Sequence, residues 1–404
     1  MTLQAQDTLR LDAAQALARA VSQAPMLRAA VARESSATAL VQQAGAWKNP
    51  VFSITAENLG AEVQTTGKSG VAGIEGQAII EQTFTLGGDR GAAIGQARAL
   101  AGEAMATRRL VEADLRLLAV EAIARADRDA ADAAFASQEA LALRQIATMM
   151  SRRAAEGRSS GGEAALAAVE AASASSLSAR RSALAAESQA DLARVLGVAP
   201  GMHVIVESAA CATMPAPPRD SAPELQRAAF SVAAADAGLA RARAARVPDL
   251  RPSAGLRRTQ GFSGLWLGLA LDLPILQSGA SAEKAARFQA AAVRDEMEAL
   301  SLAIAARTAG STAAMRQLDL VAPLFDAELV HDLERAVRSA ESRHAAGEGT
   351  LVELLDTRRA RLALLTEYEE WRAAQRIARA RQARWSGTPI DAEMLCDTNG
   401  RLRQ

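Results

Sequence analysis

The chain contains two copies of one sequence pattern. An Ala-rich stretch runs from Pro25 to Pro50, and a stretch of the same length runs from Pro223 to Pro248. These two stretches are separated by one constant distance, or offset, along the sequence. Further along, the copies are again separated by a constant, slightly different distance, with these matched pairs: Arg153 and Arg343, Gly157 and Gly347, Glu163 and Glu353, and Gly197 and Gly387. Such self-similarity indicates a tandem duplication. The offset changes only between Pro50 and Leu86, so the helices that follow keep one length in both copies.

The composition favours long helices over compact globular cores. The 404 residues include 12 Pro, 27 Gly and 3% aromatic residues, although aromatic side chains usually dominate the energetics of a core. Ala, Leu, Arg and Glu, which prevail here, are good helix formers. Lys plus Arg and Asp plus Glu both number 46, so no overall basic field would attract nucleic acid, and we exclude it as a partner.

Apolar positions at helical spacing predict a similar set of long helices in each copy. Roughly 70 residues without a strong break correspond to a helix about 100 Å long, and helices of this length must pack against one another as an antiparallel coiled coil. Pro323 interrupts only the second copy. The predicted helices cover residues 9–46, with a break or kink at Pro25, and residues 88–156, 163–196, 280–346 and 350–384.

Strands are predicted at about 51–57, 73–85, 250–258 and 264–274. The clearest signal is strict alternation, with Leu265, Leu267, Leu269, Leu271 and Leu273 separated by small or polar residues and Trp266. Two interpretations are open. The alternation is typical of a sheet that packs on a soluble core, and also of a membrane β-strand with one face toward lipid and one toward a lumen. Because two hairpins cannot close a barrel, the second interpretation requires several subunits.

The sequence also bears on where the protein is located and on whether it is an enzyme. No run of 18 apolar residues predicts a transmembrane helix, and the first residues lack the features of a signal peptide. We therefore expect either a cytoplasmic protein or a sequence that begins near the mature end of an exported one. Cys211 and Cys396 form either a disulfide or two free thiols. No catalytic motif, metal site or cofactor site is found, and we expect no enzyme activity.

With its strand pairs, long antiparallel helices and tandem duplication, the chain resembles the TolC family of trimeric outer-membrane efflux channels over residues 9–390. Within that family, the phrases Glu57-Asn-Leu-Gly60, residues 81–90 and Val247-Pro-Asp-Leu250 look most like the CzcC-type branch for cobalt, zinc and cadmium. The resemblance implies a mainly α fold with a small β part. It also implies a first repeat at 9–200, a Pro-rich linker at 211–223 and a second repeat at 224–390.

As the resemblance implies, three chains would form a 12-stranded β-barrel in outer-membrane lipid, with an α-helical tunnel across the periplasm. The channel would work with a periplasmic adaptor protein and an inner-membrane RND pump as a passive conduit, here for heavy-metal cations. Two alternatives stay open. One is a channel of the same family for drugs, small organic molecules or type I protein secretion. The other is a soluble coiled-coil scaffold without a membrane phase.

The resemblance also places a periplasmic gate just after the second helical turn. Glu353 and Asp356 are three residues apart, so they share one helix face and would give six carboxylates in a trimer. The alternative is that both acids simply form a solvated face near a helix N-terminus, where acidic side chains are favoured. His344 is a further gate candidate, against the alternative of an ordinary surface histidine. The expected contacts with the adaptor at the helix tips are Gly157, Ser160, Gly347 and Thr350.

Overall fold

The computed structural model describes residues 8–57, 75–207, 222–259, 262–273, 278–325 and 327–396. The helices are α1 (Ala13–Gln23), α2 (Pro25–Gly45), α3 (Asp89–Ala155), α4 (Gly161–Val195), α5 (Pro223–Ala244), α6 (Ala280–Val321), α7 (Ala327–Ala346) and α8 (Leu351–Ser386). The strands are β1 (Thr8–Asp12), β2 (Val51–Glu57), β3 (Glu75–Glu81), β4 (His203–Glu207), β5 (Leu250–Thr259) and β6 (Phe262–Leu271). None of the described helices combines the length and the apolar character needed to cross a membrane.

The chain divides into two compact units that do not follow the repeat boundaries. Unit 1 comprises residues 1–29, 109–223 and 302–404, and unit 2 comprises residues 30–108 and 224–301. Each unit therefore contains segments from both sequence repeats. Most of the predicted linker at 211–223 lies outside the described residues, and α5 begins at its last residue, Pro223.

Unit 2 contains a four-stranded antiparallel sheet in the order β2-β3-β5-β6. Each repeat supplies one hairpin, and the two hairpins pair through β3 and β5, from Gly76 opposite Arg258 to Glu81 opposite Ser253. A bridge between Phe84 and Leu250 continues this pairing beyond β3. Within the described residues, β2 and β6 each lack a neighbour on their outer side.

Unit 1 has a core built largely from small side chains. Its largest cluster of buried residues joins α1, α3, α4 and α8 with the segments around β4 and the end of the described chain. The alanines of this cluster are Ala13, Ala16, Ala20, Ala119, Ala122, Ala126, Ala193, Ala380 and Ala383. Small side chains let helices approach one another closely, and this explains how a chain with few aromatic residues buries a core. Cys396 is buried close by and is held in a disulfide, whereas Cys211 lies outside the described residues.

The start of the chain corrects the prediction of one helix from Leu9 to Ala46. Residues 8–12 form β1, which pairs in parallel with β4. Asp12 then ends the strand and caps α1, because its side chain accepts a hydrogen bond from the Gln15 backbone N–H while the Gln15 side chain accepts one from the Asp12 backbone. A second break at Ala24, in extended conformation just before Pro25, separates α1 from α2.

Both repeats turn between their long helices with the same local chemistry. Gly157 and Gly347 have φ angles of 71° and 81°, the left-handed region that glycine adopts without strain. Ser160 and Thr350 then cap α4 and α8, and each hydroxyl accepts a hydrogen bond from a backbone N–H three residues later. The constant offset seen in the sequence is therefore an equivalence of structure at both turns.

The second repeat differs from the first at Pro323. Proline removes a backbone donor, so the helix changes there into a short 3-10 segment, Ala322–Leu324, before α7 begins. Phe325, Tyr368 and Trp371 pack together beside this break, with ring centroids 5.4 to 6.0 Å apart. Several of the chain's few aromatic side chains thus fill the space that the interrupted helix creates.

Buried arginines of α8 pair with acids of α3. Arg358 donates to Glu139 at 2.9 Å, Arg376 to Asp127 at 2.8 Å, and Arg384 to Asp114 at 2.7 Å. The residue number rises along α8 as it falls along α3, so the two helices run antiparallel. Buried charges are tolerated only when paired, so these contacts fix the register of the two helices.

Candidate functional site

One face of the sheet in unit 2 is apolar and exposed. Cross-strand partners share a face, and the row through Ile54, Ala78, Leu256 and Leu265 is entirely apolar. The next row on this face is also apolar and joins Phe52, Ile80, Ala254 and Leu267. The larger side chains are strongly exposed, with 71% for Ile54, 65% for Leu256 and 75% for Leu265. A contiguous exposed apolar surface of this kind marks contact with a membrane or a partner.

The opposite face of the same sheet is mixed and more polar. One of its rows joins Thr55, Gln77, Arg257 and Gly264. The next row combines small and apolar residues, namely Ser53, Ile79, Gly255 and Trp266. Near the helical end of this face, Arg251 bonds to Asp272, and its Nη1 lies 3.8 Å from the Glu81 carboxylate. Charged and hydroxyl side chains of the strands therefore concentrate on one side of the sheet in both hairpins.

The apolar face has a different boundary at each end of the strands. At the hairpin end, Arg258 and Ser263 lie opposite each other and close the run of leucines. At the other end, Trp47 and Phe84 are in edge contact at 5.7 Å between ring centroids. The Arg90 guanidinium lies over the Trp47 ring at 4.7 Å. Aromatic and basic side chains at the ends of an apolar surface suit a boundary between lipid and water.

The second helical turn holds the predicted gate residues, and the structure pairs both acids. Glu353 accepts a hydrogen bond from Arg343 across the turn, and Asp356 accepts one from Arg359 at 2.9 Å. Arg359 also donates to Glu170 of α4, and this hydrogen bond raises the pKa of Arg359. The side chains of Glu353 and Asp356 remain 41% and 61% exposed. The pairing of Arg343 and Arg359 was not predicted from the sequence, although the three-residue spacing of Asp356 and Arg359 favours an ion pair on one helix face.

His344 is buried in the structure, with 7% exposure, and the interpretation of an ordinary surface histidine is wrong. Its Nδ1 lies 3.4 Å from the Gly349 carbonyl oxygen, and its Nε2 has no hydrogen-bond partner among the described residues. The short turn folds back and places Gly349 against α7, and this covers the imidazole ring. Sequence periodicity does not reveal that contact, because Gly349 lies outside the helix.

The first helical turn is less acidic than the second. Glu163 closes a capping box with Ser160, and the hydrogen bond from the Ser159 hydroxyl, with those from Ser160, lowers the pKa of Glu163. Leu166, which stands where the second repeat has Asp356, is partly exposed. The four residues expected at the tips, Gly157, Ser160, Gly347 and Thr350, all shape or cap the turns.

The chain is similar to known proteins, both in sequence and in fold. Residues 219–388 match the model of one protein family. It is the family of outer membrane efflux proteins. The matched segment holds most of the second repeat, with β5, β6 and the second turn. No match was found among curated proteins.

Several solved outer-membrane proteins share the fold over nearly the whole chain. CusC superposes with a TM-score of 0.77 at 15% identity, covering 93% of this chain and 91% of CusC. The outer membrane protein VceC from Vibrio cholerae gives 0.72 at 18% identity, covering 93% and 96%. The open state of the MtrE outer membrane channel from Neisseria gonorrhoeae gives 0.74 at 15% identity, covering 94% and 89%. The fold of both repeats is therefore that of these proteins.

The interpretation of the apolar face as a lipid contact predicts that a charge placed on it prevents insertion into a membrane. We expect Leu267→Arg, on a leucine that is 72% exposed, to reduce the membrane-inserted fraction strongly, because Arg near the midplane of a lipid-facing strand costs about 2–4 kcal/mol. Flotation with liposomes of phosphatidylcholine and phosphatidylglycerol measures that fraction. Ser53→Arg is the matched control, since Ser53 is exposed on the opposite face, one row further along the sheet. Equal loss in both variants would contradict a lipid contact of the apolar face.

Proposed function

We propose that the protein is the outer-membrane channel of a tripartite efflux system. The observation that carries this proposal is a single sheet with one exposed aliphatic face and one more polar face, on a chain whose fold is that of CusC and MtrE. The aliphatic face would contact lipid and the more polar face would line a water-filled lumen. Such a channel is a passive conduit and catalyses no reaction.

Closure of the sheet requires further copies of the chain. The outer sides of β2 and β6 carry backbone groups that the described residues leave unpaired, and inside a membrane every such group must be satisfied. Three chains with four strands each would give a 12-stranded barrel in which β2 of one copy pairs with β6 of the next. We therefore propose a homotrimer, with the long helices forming a tunnel across the periplasm.

The partners and cargo follow from this role. The channel would receive cargo from an inner-membrane RND pump through a periplasmic adaptor protein that meets the helical turns at Gly157, Ser160, Gly347 and Thr350. We propose heavy-metal cations as the cargo, on the sequence phrases that begin at Glu57 and Val247 and resemble the CzcC branch. Drugs, small organic molecules and secreted proteins are the alternative cargoes, because a passive conduit leaves selection to the pump.

We further propose that the second helical turn gates the tunnel. Glu353 and Asp356 stand on one face of the first turns of α8, and each is held by an arginine of the same chain. The Arg343–Glu353 pair would fix the turn in its present position, with His344 packed beneath it, and Asp356 would orient Arg359 toward Glu170 of α4. Opening would then require the pairs to separate, so that the gate is a set of paired charges and not a ring of free carboxylates.

Purified protein in detergent should be a trimer and should conduct ions in a planar lipid bilayer. Light scattering coupled to gel filtration gives the mass of the assembly, and single-channel recording gives the conductance. A monomer that stays in solution without detergent and does not conduct would support the coiled-coil scaffold and overturn the channel. The two measurements together therefore separate the two classes of function.

Neutral replacements at the gate should open the channel. We expect Glu353→Gln with Asp356→Asn to raise single-channel conductance several-fold, because the first change removes the ion pair across the turn and the second frees Arg359, which bonds to Glu170 of α4. Asp191→Asn with Arg194→Gln is the control, since this pair is an exposed contact within α4. If conductance and block by divalent cations both stay unchanged in the gate variant, Glu353 and Asp356 are not gate residues.

A further inference from the structure

The C-terminal end of α3 presents an exposed face that is both basic and apolar. Leu141, Arg144, Met149 and Arg152 recur at intervals of three to five residues, so they lie on one side of the helix. Leu141 and Met149 are 54% and 37% exposed. Together with the residues before the first turn they border a groove of about 590 Å³. We call this surface the arginine groove.

The cations of the arginine groove exceed its anions. The groove is lined by four arginines and one acid, Glu156, which forms an ion pair with Arg158. Arg144 donates to the Ser175 hydroxyl at 3.4 Å. The side chains of Arg152 and Arg153 form no ion pair with any residue that the structure describes. Two guanidinium groups are therefore available to carboxylates from outside the chain.

The second repeat does not share this surface. In the register that aligns the two turns, Glu334 replaces Arg144, and Glu348 replaces Arg158. The apolar character is reduced as well, because His331 stands in place of Leu141. The two turns have equivalent caps and glycines, so this difference in charge is not a requirement of folding. It distinguishes one turn of each chain as a basic surface.

Acids of a second copy are poor candidates to cover the arginine groove. Several acids near the second turn accept from arginines of the same chain, namely Asp332 from Arg335, Glu334 from Arg361, and Glu341 from Arg358. A neighbouring copy would have to break such pairs to neutralise both Arg152 and Arg153, because Glu348, which forms no ion pair within the described residues, offers a single carboxylate. Charge complementarity therefore favours a partner that brings carboxylates of its own.

We propose that the arginine groove binds an acidic amphipathic helix of a separate protein. Carboxylates one turn apart on that helix would meet Arg152 and Arg153, and an apolar side chain between them would pack on Leu141 and Met149, as in helix-in-groove recognition. The inference rests on the proposed function and deepens it, since it gives the chemistry of the adaptor segment that meets the first turn. Binding by exposed charges is expected to weaken as salt increases.

A fluorescein-labelled synthetic peptide tests the proposal on the full-length protein in detergent. The peptide is a helix with Glu and Leu at intervals of three and four residues, and its affinity is measured by fluorescence anisotropy at low and high salt. We expect Arg152→Glu with Arg153→Glu to weaken binding at least about tenfold, since like charges now face each other. A Lys-for-Glu version of the peptide should bind this variant better than it binds the unchanged protein. The matched control, Arg335→Glu with Arg338→Glu at exposed positions of the second repeat, should leave the affinity unchanged.

Two results would overturn the proposal. In the first, the acidic peptide binds the groove variant and the unchanged protein equally. In the second, the groove variant loses its oligomeric state in gel filtration with light scattering, which would show that a second copy covers the groove. Bilayer conductance of the same samples separates this failure from a failure of the proposed function, because a conducting channel that ignores the peptide contradicts the arginine groove alone.

Discussion

Replacing Arg358 with alanine should destabilise the protein by about 3–5 kcal/mol, because the change leaves a buried carboxylate without its partner. The side chains of Arg358 and Glu139 are only 10% and 4% exposed, and they join α8 to α3 through two hydrogen bonds. Glu341, the other acid on Arg358, is 46% exposed and would be solvated after the change. The loss therefore comes mainly from Glu139. Urea unfolding of the purified protein, followed by tryptophan fluorescence, measures this loss in the free energy of unfolding.

Two further variants identify the cause of that loss. Arg335→Ala removes a pair in which both side chains are at least half exposed, and should cost less than about 1 kcal/mol. Arg358→Met with Glu139→Met removes both buried charges and should recover much of the stability lost in the single variant, since paired buried charges are often replaced by apolar groups without penalty. A double variant as unstable as the single one would contradict an uncompensated charge as the cause.

Replacing Asp132 with asparagine should stabilise the protein at neutral pH. Asp132 is 3% exposed, its Oδ2 lies 3.2 Å from Nη1 of Arg181, and its Oδ1 has no partner among the described residues. Burial raises the pKa of Asp132 from 3.8 to about 6 against the attraction of Arg181. A raised pKa means that folding favours the protonated form. The stability linked to Asp132 is therefore fully present below pH 3.8 and is lost as the pH rises through about 6.

The expected gain for Asp132→Asn follows from that shift. The rise of the pKa from 3.8 to about 6 corresponds to about 3 kcal/mol at about pH 8, and the gain should disappear below about pH 4. Unfolding curves of the variant and the unchanged protein at several pH values test this dependence. Asp191→Asn, on an exposed ion pair of α4, should change stability by less than about 1 kcal/mol at every pH. A gain for Asp132→Asn that persisted in acid would show that desolvation of the charge is not its source.

The sequence alone predicts what depends on local signals and on repetition. Helix ends are set by residues within one turn, so the equivalence of Ser160 with Thr350 follows from the constant offset between the repeats. The alternation of leucines from Leu265 onward predicts both the strand and its two faces. The parallel pair β1-β4 was not predicted because its partners, such as Thr8 and His203, lie far apart in the sequence. Neither strand is long enough to show a clear alternation.

The electrostatic part of the candidate gate could not be predicted. Whether Glu353 meets Arg343 depends on how the turn folds back, and whether Arg359 meets Glu170 depends on the packing of α8 beside α4. The burial of His344 depends in the same way on the position of the turn. Such contacts arise from tertiary geometry, which cannot be read from the periodicity of apolar residues or from helix propensity. A cluster of acids in a sequence therefore does not establish a charged site until its counter-ions are known.

The two compact units differ in how far each covers its own apolar side chains. Unit 1 has a buried core of its own, around Leu17, Ile123 and Leu196, and can hide its apolar side chains in water. The sheet of unit 2 exposes Ile54, Leu265 and their neighbours, and its edge strands have no cover among the described residues. In water, a single chain would therefore aggregate through this sheet, and in the proposed channel lipid and neighbouring copies would cover it. The proposed channel would consequently assemble more completely as the protein concentration rises, because only contact between copies covers the edges of the sheet.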